Sequence, residues 1–406
     1  MTNLPSAEDN DSQQRFGEDM PSFRSQLGPL LLLTSIFFIN FLSRITLAPM
    51  LPRVESDLGL SHVEAGSFFL LISLGYFTTL LASGFIASRL THKRTIIYSS
   101  LAVGIALLFT AFSSGLWGMR LGLIALGMAA GPYIPSGIAT LTSIIDSRHW
   151  GKAIGIHELA PNLSFVVAPL ICEIVLHWFS WRVVFMVLGV GALLLGAIFA
   201  RFGRGGEFSG QSVGYSSYGG ILSNPSFWIL VILFSLGISS TLGVYTMLPI
   251  FLVAEHGMLR SRANALVALS RVAGVGMTLV GGWATDRFGP QLVLRLVFLL
   301  TGATTLFIGF ASSFWVEVAV FVQPLLAVCF FPAGLAALSM VSSSKQRNIM
   351  VSLTVPFAFL IGGGGAPTLI GFFGDLGSFG GGIALVGGAI TTGAVLTGFL
   401  RFKENK

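Results

Sequence analysis

The feature that most limits what this chain can become is a recurrence: apolar runs of about 18 to 25 residues follow one another almost from end to end. At about 1.5 Å of rise per residue, each is long enough to cross a hydrocarbon core of about 30 Å as a helix. Twelve such spans are expected, at 28–51, 65–87, 95–113, 117–142, 153–176, 183–200, 227–252, 263–284, 291–312, 315–340, 349–371 and 380–400. Composition agrees, because 53% hydrophobic against 10% charged residues is far from the balance of a soluble domain. An all-α integral membrane protein follows.

The basic residues give the chain an expected orientation. Loops on one side hold sixteen Lys and Arg residues, and the opposite loops hold four: Arg53, Arg182, Arg260 and Arg262. Basic loops stay cytoplasmic, so both termini are expected inside, in the inner (plasma) membrane of a bacterium. The net charge of +6 is accounted for by that bias and needs no nucleic-acid partner. Residues 1–27 are polar, lack the apolar stretch of a secretory signal, and read as a disordered cytoplasmic tail.

An internal repeat divides the rest. Ile134-Pro135-Ser136-Gly137 is answered by Phe331-Pro332-Ala333-Gly334 at a shift of 197, Ala168-Pro169 by Ala366-Pro367 at 198, and Arg148 by Arg347 at 199. Two six-helix bundles are therefore expected over 28–200 and 227–402, joined by a cytoplasmic linker over 201–226.

The same period carries a motif. Gly282, Asp286, Arg287 and Gly289 form GxxxDRxG between the second and third spans of the second half. Gly84, Arg89, Lys93 and Arg94 hold the equivalent place in the first, with Ser88 where the pattern has Asp and Thr91 where it has Gly. These loops resemble the cytoplasmic loop motif of the major facilitator superfamily. Arg120 at the start of span four and Trp181-Arg182 with Phe185 before span six resemble it too, although Ile124 stands where a glycine is expected. The resemblance implies the two-bundle major facilitator fold, alternating-access transport, no catalysis, no cofactor, and a monomer. It also implies a conformational latch at Gly84, Arg89, Arg94, Gly282, Asp286, Arg287 and Gly289.

Ionisable residues inside spans point to a site, since each costs roughly 2.5 to 3.5 kcal/mol near the bilayer centre unless a cavity or partner receives it. Arg44 in span one and Arg271 in span eight lie at matching depth, and neither has a basic counterpart under the repeat: Arg44 maps onto Thr241 to Gly243, Arg271 onto Ile72 to Leu74. Guanidinium forks match carboxylate or sulfonate oxygens, so an anionic small-molecule substrate is expected at this pair. The other reading, hydrogen bonds to carbonyls near Pro49 or on neighbouring helices, stays open. Asn40, Tyr133, Tyr245 and Gln323 are further candidates for substrate contact.

For coupling to protons the candidates are Glu158, expected to be buried, its neighbour His157, and Arg120, which matches an arginine that the superfamily resemblance links to proton coupling. The stretch NFLSRITLAPMLPRVESDLGLS resembles the first span of anion:cation symporters, with Ser43 where these often have Asp. The expected transport is proton-coupled symport or anion exchange; drug or lipid efflux by proton antiport is the alternative, weakened by Ala160 and Ser164 at glycine positions of the efflux pattern, and a non-transporting sensor is a second. Metal chemistry has no footing: Cys172 and Cys329 are far apart, and His157-Glu158 lacks the second His of a zinc motif. The run Gly362 to Gly365 sits inside a span and suits close helix contact or gating.

Overall fold

The computed structural model describes residues 23–210, 221–341 and 344–400; residues 1–22 of the expected 1–27 tail and 211–220 of the expected 201–226 linker lie outside these, while residues 23–27 of that tail are helical. Among the described residues twelve helices are long and apolar enough to cross a membrane: α1 Phe23–Leu58, α2 His62–Leu81, α3 His92–Phe112, α4 Leu116–Ile144, α5 Ser147–Trp178, α6 Trp181–Phe202, α7 Pro225–Ala254, α8 Arg260–Phe288, α9 Pro290–Phe310, α10 Phe314–Val341, α11 Met350–Asp375 and α12 Phe379–Phe399. We call the face carrying the α2–α3 and α8–α9 loops the basic face.

The largest departure from the expected spans is at α1, which starts five residues earlier and ends seven later. Hydropathy marks only the lipid-embedded part, whereas the helix continues until its backbone is capped. Here Gly59 supplies the stop with a left-handed φ of 62°. The chain turns at Ser61, whose hydroxyl accepts the Glu64 N–H while Glu64 returns the contact, a capping box that starts α2.

The repeat is visible in packing. In the first half Gly104 of α3 meets α6 at Gly189, where an added Cβ would lie 2.7 Å from the Gly189 carbonyl. At a shift of 198 the same crossing recurs between α9 and α12: a Cβ on Gly302 would lie 2.6 Å from Thr391 N, and one on Gly387 2.3 Å from Leu306 N. Small residues let backbones approach where apolar area gives no drive toward association.

Helices α2, α3, α6, α9 and α12 run without interruption, while the other seven are broken in mid-span. Four breaks, at Thr46, Pro132, Glu158 and Cys329, fall three residues before Pro49, Pro135, Pro161 and Pro332. Each proline lacks an N–H and crowds the carbonyl four residues back. Helices α7 and α11 instead carry π-turns at Ser239–Gly243 and Phe359–Gly365. These two turns lie against each other, since a Cβ on Gly243 would be 2.4 Å from the Gly362 carbonyl and one on Gly362 2.5 Å from the Ser235 carbonyl. The glycine run is thus a close crossing. We expect Gly362→Ala to lower stability by about 1–3 kcal/mol, read as a fall in the thermal midpoint of the purified protein. Gly388→Ala, whose Cβ would meet nothing within 4 Å, serves as the unchanged control.

The halves meet through α2 against α11, α5 against α8, and α1 against α7. The described hydrogen bonds that join them lie from the middle of the helices toward the face opposite the basic one. There Asp375 accepts from His62 N (2.7 Å) and Val63 N (3.0 Å) at the start of α2. Glu173 accepts from Arg260 Nε (2.9 Å) and Asn264 Nδ2 (2.6 Å) at the start of α8.

Candidate functional site

Arg44 precedes the α1 break by two residues and is 7% exposed. Its Nε reaches the Asn40 carbonyl at 3.4 Å, and its guanidinium carbon lies 5.0, 4.3 and 5.7 Å from the ring centres of Phe41, Tyr76 and Phe359. Nη2 is buried with no hydrogen-bond partner. Arg44 borders a cavity of about 20 Å³ at the junction of the halves, with Ser73, Tyr76, Thr246, Phe359 and Gly363 among its walls. That is room for about one water molecule.

Arg271 precedes the break in α8, at Ala273, by two residues and is equally buried, at 8%. The π-turn of α7 leaves carbonyls without helical donors, and two side chains supply them. Arg271 Nη2 donates to Thr241 O at 2.7 Å, and Gln323 Nε2 donates to Ser240 O at 2.8 Å. The Arg271 guanidinium lies 4.4 Å from the Phe165 ring and 4.7 Å from that of Tyr245.

The arginines are held alike. Each stacks on a tyrosine of its own half, Tyr76 or Tyr245, and on a phenylalanine of the other, Phe359 on α11 or Phe165 on α5, which are equivalent helices under the repeat. Between them Phe41 and Phe165 meet edge to face at 5.3 Å. The cavity takes in Arg44 and not Arg271. Among the described residues neither has a carboxylate partner.

The remaining candidates are spread out. Asn40 Nδ2 donates to Ala130 O at 3.1 Å, tying α1 to α4, and Tyr245 OH donates to Phe165 O at 3.3 Å across the halves. Tyr133 OH donates to Leu33 O at 2.6 Å and lies 3.1 Å from His157 Nε2. Phe37 stacks on the His157 ring at 4.5 Å. Neither Tyr133 nor Gln323 borders the Arg44 cavity.

Glu158 corrects one expectation. It is 52% exposed, not buried, because α5 breaks at this residue and turns its side chain outward. Its Oε1 lies 3.6 Å from Nδ1 of the fully buried His157, which has no hydrogen-bond partner at that nitrogen. Arg120 sits on the far face, where Nη2 donates to Glu64 Oε1 at 3.0 Å within the first half.

The two motif loops are built differently. Gly289 has φ 82° and precedes Pro290 at the start of α9, while Thr91 begins α3 by accepting the Arg94 N–H with its hydroxyl. The two departures of the first loop are thus cap chemistry at Thr91 and, at Ser88, a hydroxyl turned back on Phe85 O. Arg89 lies over the Phe85 ring, and Asp286 and Arg287 are exposed, with no ion-pair partner among the described residues. Nothing lies within 4 Å of a Cβ on Gly282, and Gly84 stands in the short helix Ser83–Arg89.

The linker straps the first loop. Gly206 O accepts from Lys93 N (2.7 Å), Phe208 O from His92 N (3.1 Å), and Gly210 N donates to Ala87 O (2.8 Å). Lys93 Nζ pairs with Glu207 at 3.0 Å and holds that carboxyl below the usual range. A lowered value means the pair contributes above the ordinary carboxylate pKa and fades as pH falls through the depressed one. The stability difference between wild type and Glu207→Gln should therefore persist from pH 7 to 5, begin to shrink near the ordinary glutamate pKa of about 4, and vanish only below the depressed value, followed by thermal midpoints across pH.

Sequence reasoning missed the rings of Phe41, Tyr76, Phe165 and Phe359 around the arginines, and the carboxylates Glu173 and Asp375 that bridge the halves. A sequence profile of the Major Facilitator Superfamily matches residues 33–290. A probable sulfoacetate transporter of Cupriavidus necator is 26% identical over 299 residues, covering 68% of each chain. A multidrug resistance protein of Shewanella oneidensis is 21% identical over 320 residues, 72% of this chain and 81% of its own. Among solved structures, a bacterial homologue of the human lysosomal transporter Spinster superposes with a TM-score of 0.74 at 16% identity, over 94% of this chain and 96% of that one.

Proposed function

As a chain that belongs to the Major Facilitator Superfamily, a multi-pass membrane transporter, this protein is one in which we propose that Arg44 receives a small organic anion carried by alternating access. One observation carries the reading: a buried guanidinium with a free Nη2, no carboxylate partner among the described residues, and a cavity beside it where the halves meet. An uncompensated buried charge is costly, and an anion is what would relieve it. The likeness to a sulfoacetate transporter supports an anion, as does the resemblance of the first span to anion:cation symporters. Arg271, already bound to Thr241 O, acts in this reading as a brace that fixes the π-turn of α7 against the site.

Coupling to protons would fall to His157 and Glu158. Protonation at Nδ1 would draw the carboxylate across the 3.6 Å gap and change the break in α5. Helix α5 also carries Phe165, which touches Arg271, and Glu173, which touches α8, so it links the proton to both. The basic face would be cytoplasmic. Efflux remains the second reading, favoured by the aromatic walls and by the likeness to a multidrug resistance protein.

Uptake of labelled benzenesulfonate, a monoanion that stays ionised, into proteoliposomes under an imposed pH gradient tests the proposal. Arg44→Gln should abolish uptake, and Glu158→Gln should leave uptake that ignores the gradient. Normal uptake by Arg44→Gln would overturn the anion site, and unchanged gradient dependence in Glu158→Gln would remove that residue from coupling.

A further inference from the structure

The walls around Arg44 say what lies behind the charge of its ligand. Resting on the anion reading above, and on the cavity widening from its one-water size as the halves part, we propose that the cargo is a monoanion with a flat, apolar body, of the arylcarboxylate class, and not a polyhydroxylated acid or a dianion.

Polar capacity decides against hydroxyl-rich cargo. Besides Arg44 the cavity offers the hydroxyls of Ser73, Tyr76 and Thr246. Thr246 Oγ1 already donates to Gly243 O at 2.8 Å, and the Tyr76 ring is turned face-on to the guanidinium at 4.3 Å. Ser73 and Tyr76 are left, with one hydroxyl each, that of Tyr76 buried and without a hydrogen-bond partner. An acid carrying several hydroxyl groups would strand most of them away from water, each at roughly a tenfold loss of affinity. An apolar body instead gains with every part of its surface taken out of water.

Charge decides against a dianion. Only one guanidinium borders the cavity, because Arg271 is bonded to Thr241 O and lies beyond the Phe41 and Phe165 rings. A second carboxylate would be buried without a partner.

Shape selects for a flat body. Phe41, Tyr76 and Phe359 lie around the guanidinium, and its unpartnered Nη2 is where an oxygen in the guanidinium plane would bond. Gly363 has no side chain to close the slot, and a Cβ there would lie 3.1 Å from Leu242 Cδ2 and 3.4 Å from Ser73 Oγ.

Calorimetric titration of the full chain in nanodiscs with benzoate, acetate, gluconate and succinate tests this. Benzoate is expected to bind at least tenfold more tightly than the other three. Phe359→Leu, which stays apolar and whose thermal midpoint reports its folding, should bring the benzoate-to-acetate ratio down severalfold while acetate binding persists. Gluconate or succinate binding as tightly as benzoate overturns the inference and leaves the anion reading standing, as does a ratio unmoved by both Phe359→Leu and Tyr76→Leu. A panel in which no anion binds, or in which binding is the same in Arg44→Gln, overturns the anion reading and this inference with it.

Discussion

Without cargo, Arg44→Met protein is expected to unfold at a higher temperature than wild type, whereas Arg271→Met protein unfolds at a lower one. The two residues share burial, aromatic neighbours and one unpartnered nitrogen each, Nη2 of Arg44 and Nε of Arg271, and the difference lies in the bond each makes: Arg44 Nε only reaches Asn40 O at 3.4 Å, whereas Arg271 Nη2 holds Thr241 O at 2.7 Å. Arg44 keeps a buried Nη2 unpartnered, so its charge carries a desolvation cost that three rings offset only in part, by about 0.5–2 kcal/mol each way of counting. An apolar side chain of similar length removes the charge and keeps the packing, for a net gain of about 1–3 kcal/mol. Arg271 donates to Thr241 O at 2.7 Å. Its loss leaves a buried carbonyl at a π-turn without a donor, at about 1–3 kcal/mol. Thermal midpoints of the two variants, with and without benzoate, check the signs. The anion-induced shift should be absent from Arg44→Met, a loss of about 3 kcal/mol or roughly 100-fold in affinity. A destabilised Arg44→Met protein would mean that Arg44 is a structural donor and that its free nitrogen is not kept for a ligand.

How much of this was legible beforehand differs by feature. The repeat was, because a shift of 198 is a property of letters, and the Gly104 and Gly302 crossings show it at work in packing. The twelve spans were, because hydrophobic length is set by the bilayer. The four proline-linked breaks were half legible: Pro49, Pro135, Pro161 and Pro332 mark where a carbonyl is freed, but not how the helix responds. The π-turns were not, since the carbonyls of Ser240 and Thr241 within Ser239–Gly243 take their donors, Gln323 and Arg271, from other helices that no local pattern points to. Glu158 misled for the same reason: its burial was inferred from depth along a straight helix, and the helix is not straight there. The partners of Arg44 escaped notice because a charge suggests polar company, and its company is aromatic. Glu173 and Asp375 escaped because carboxylates near span ends read as surface residues, whereas each reaches across to the start of a helix in the other half.

Those two carboxylates carry the second large effect: the double variant Glu173→Gln, Asp375→Asn is expected to open the face opposite the basic one. Asp375 receives two of the four backbone N–H groups that any helix start leaves unpaired, and Glu173 receives an arginine and an asparagine side chain. The sites are related by the repeat, α11 acting on α2 and α5 on α8, so they resist the same rocking motion from two sides. With Glu173 and Arg260 at 23% and 29% exposure, solvent screening reduces each contact to about 1–2 kcal/mol. The sites share no partner, so their losses should add. A shift of about 2–4 kcal/mol moves the equilibrium between access states by roughly 30- to 1000-fold. Spin labels at Trp178→Cys and Leu376→Cys, exposed at 71% and 66% on the two halves, would report a longer distance in the double variant and a smaller population of it in each single one; the native Cys172 and Cys329 are buried. If the distance does not change, closure rests on the apolar crossings, where Gly66 meets the Pro367 carbonyl and Gly371 that of His62, and the carboxylates only decorate a face already held by packing.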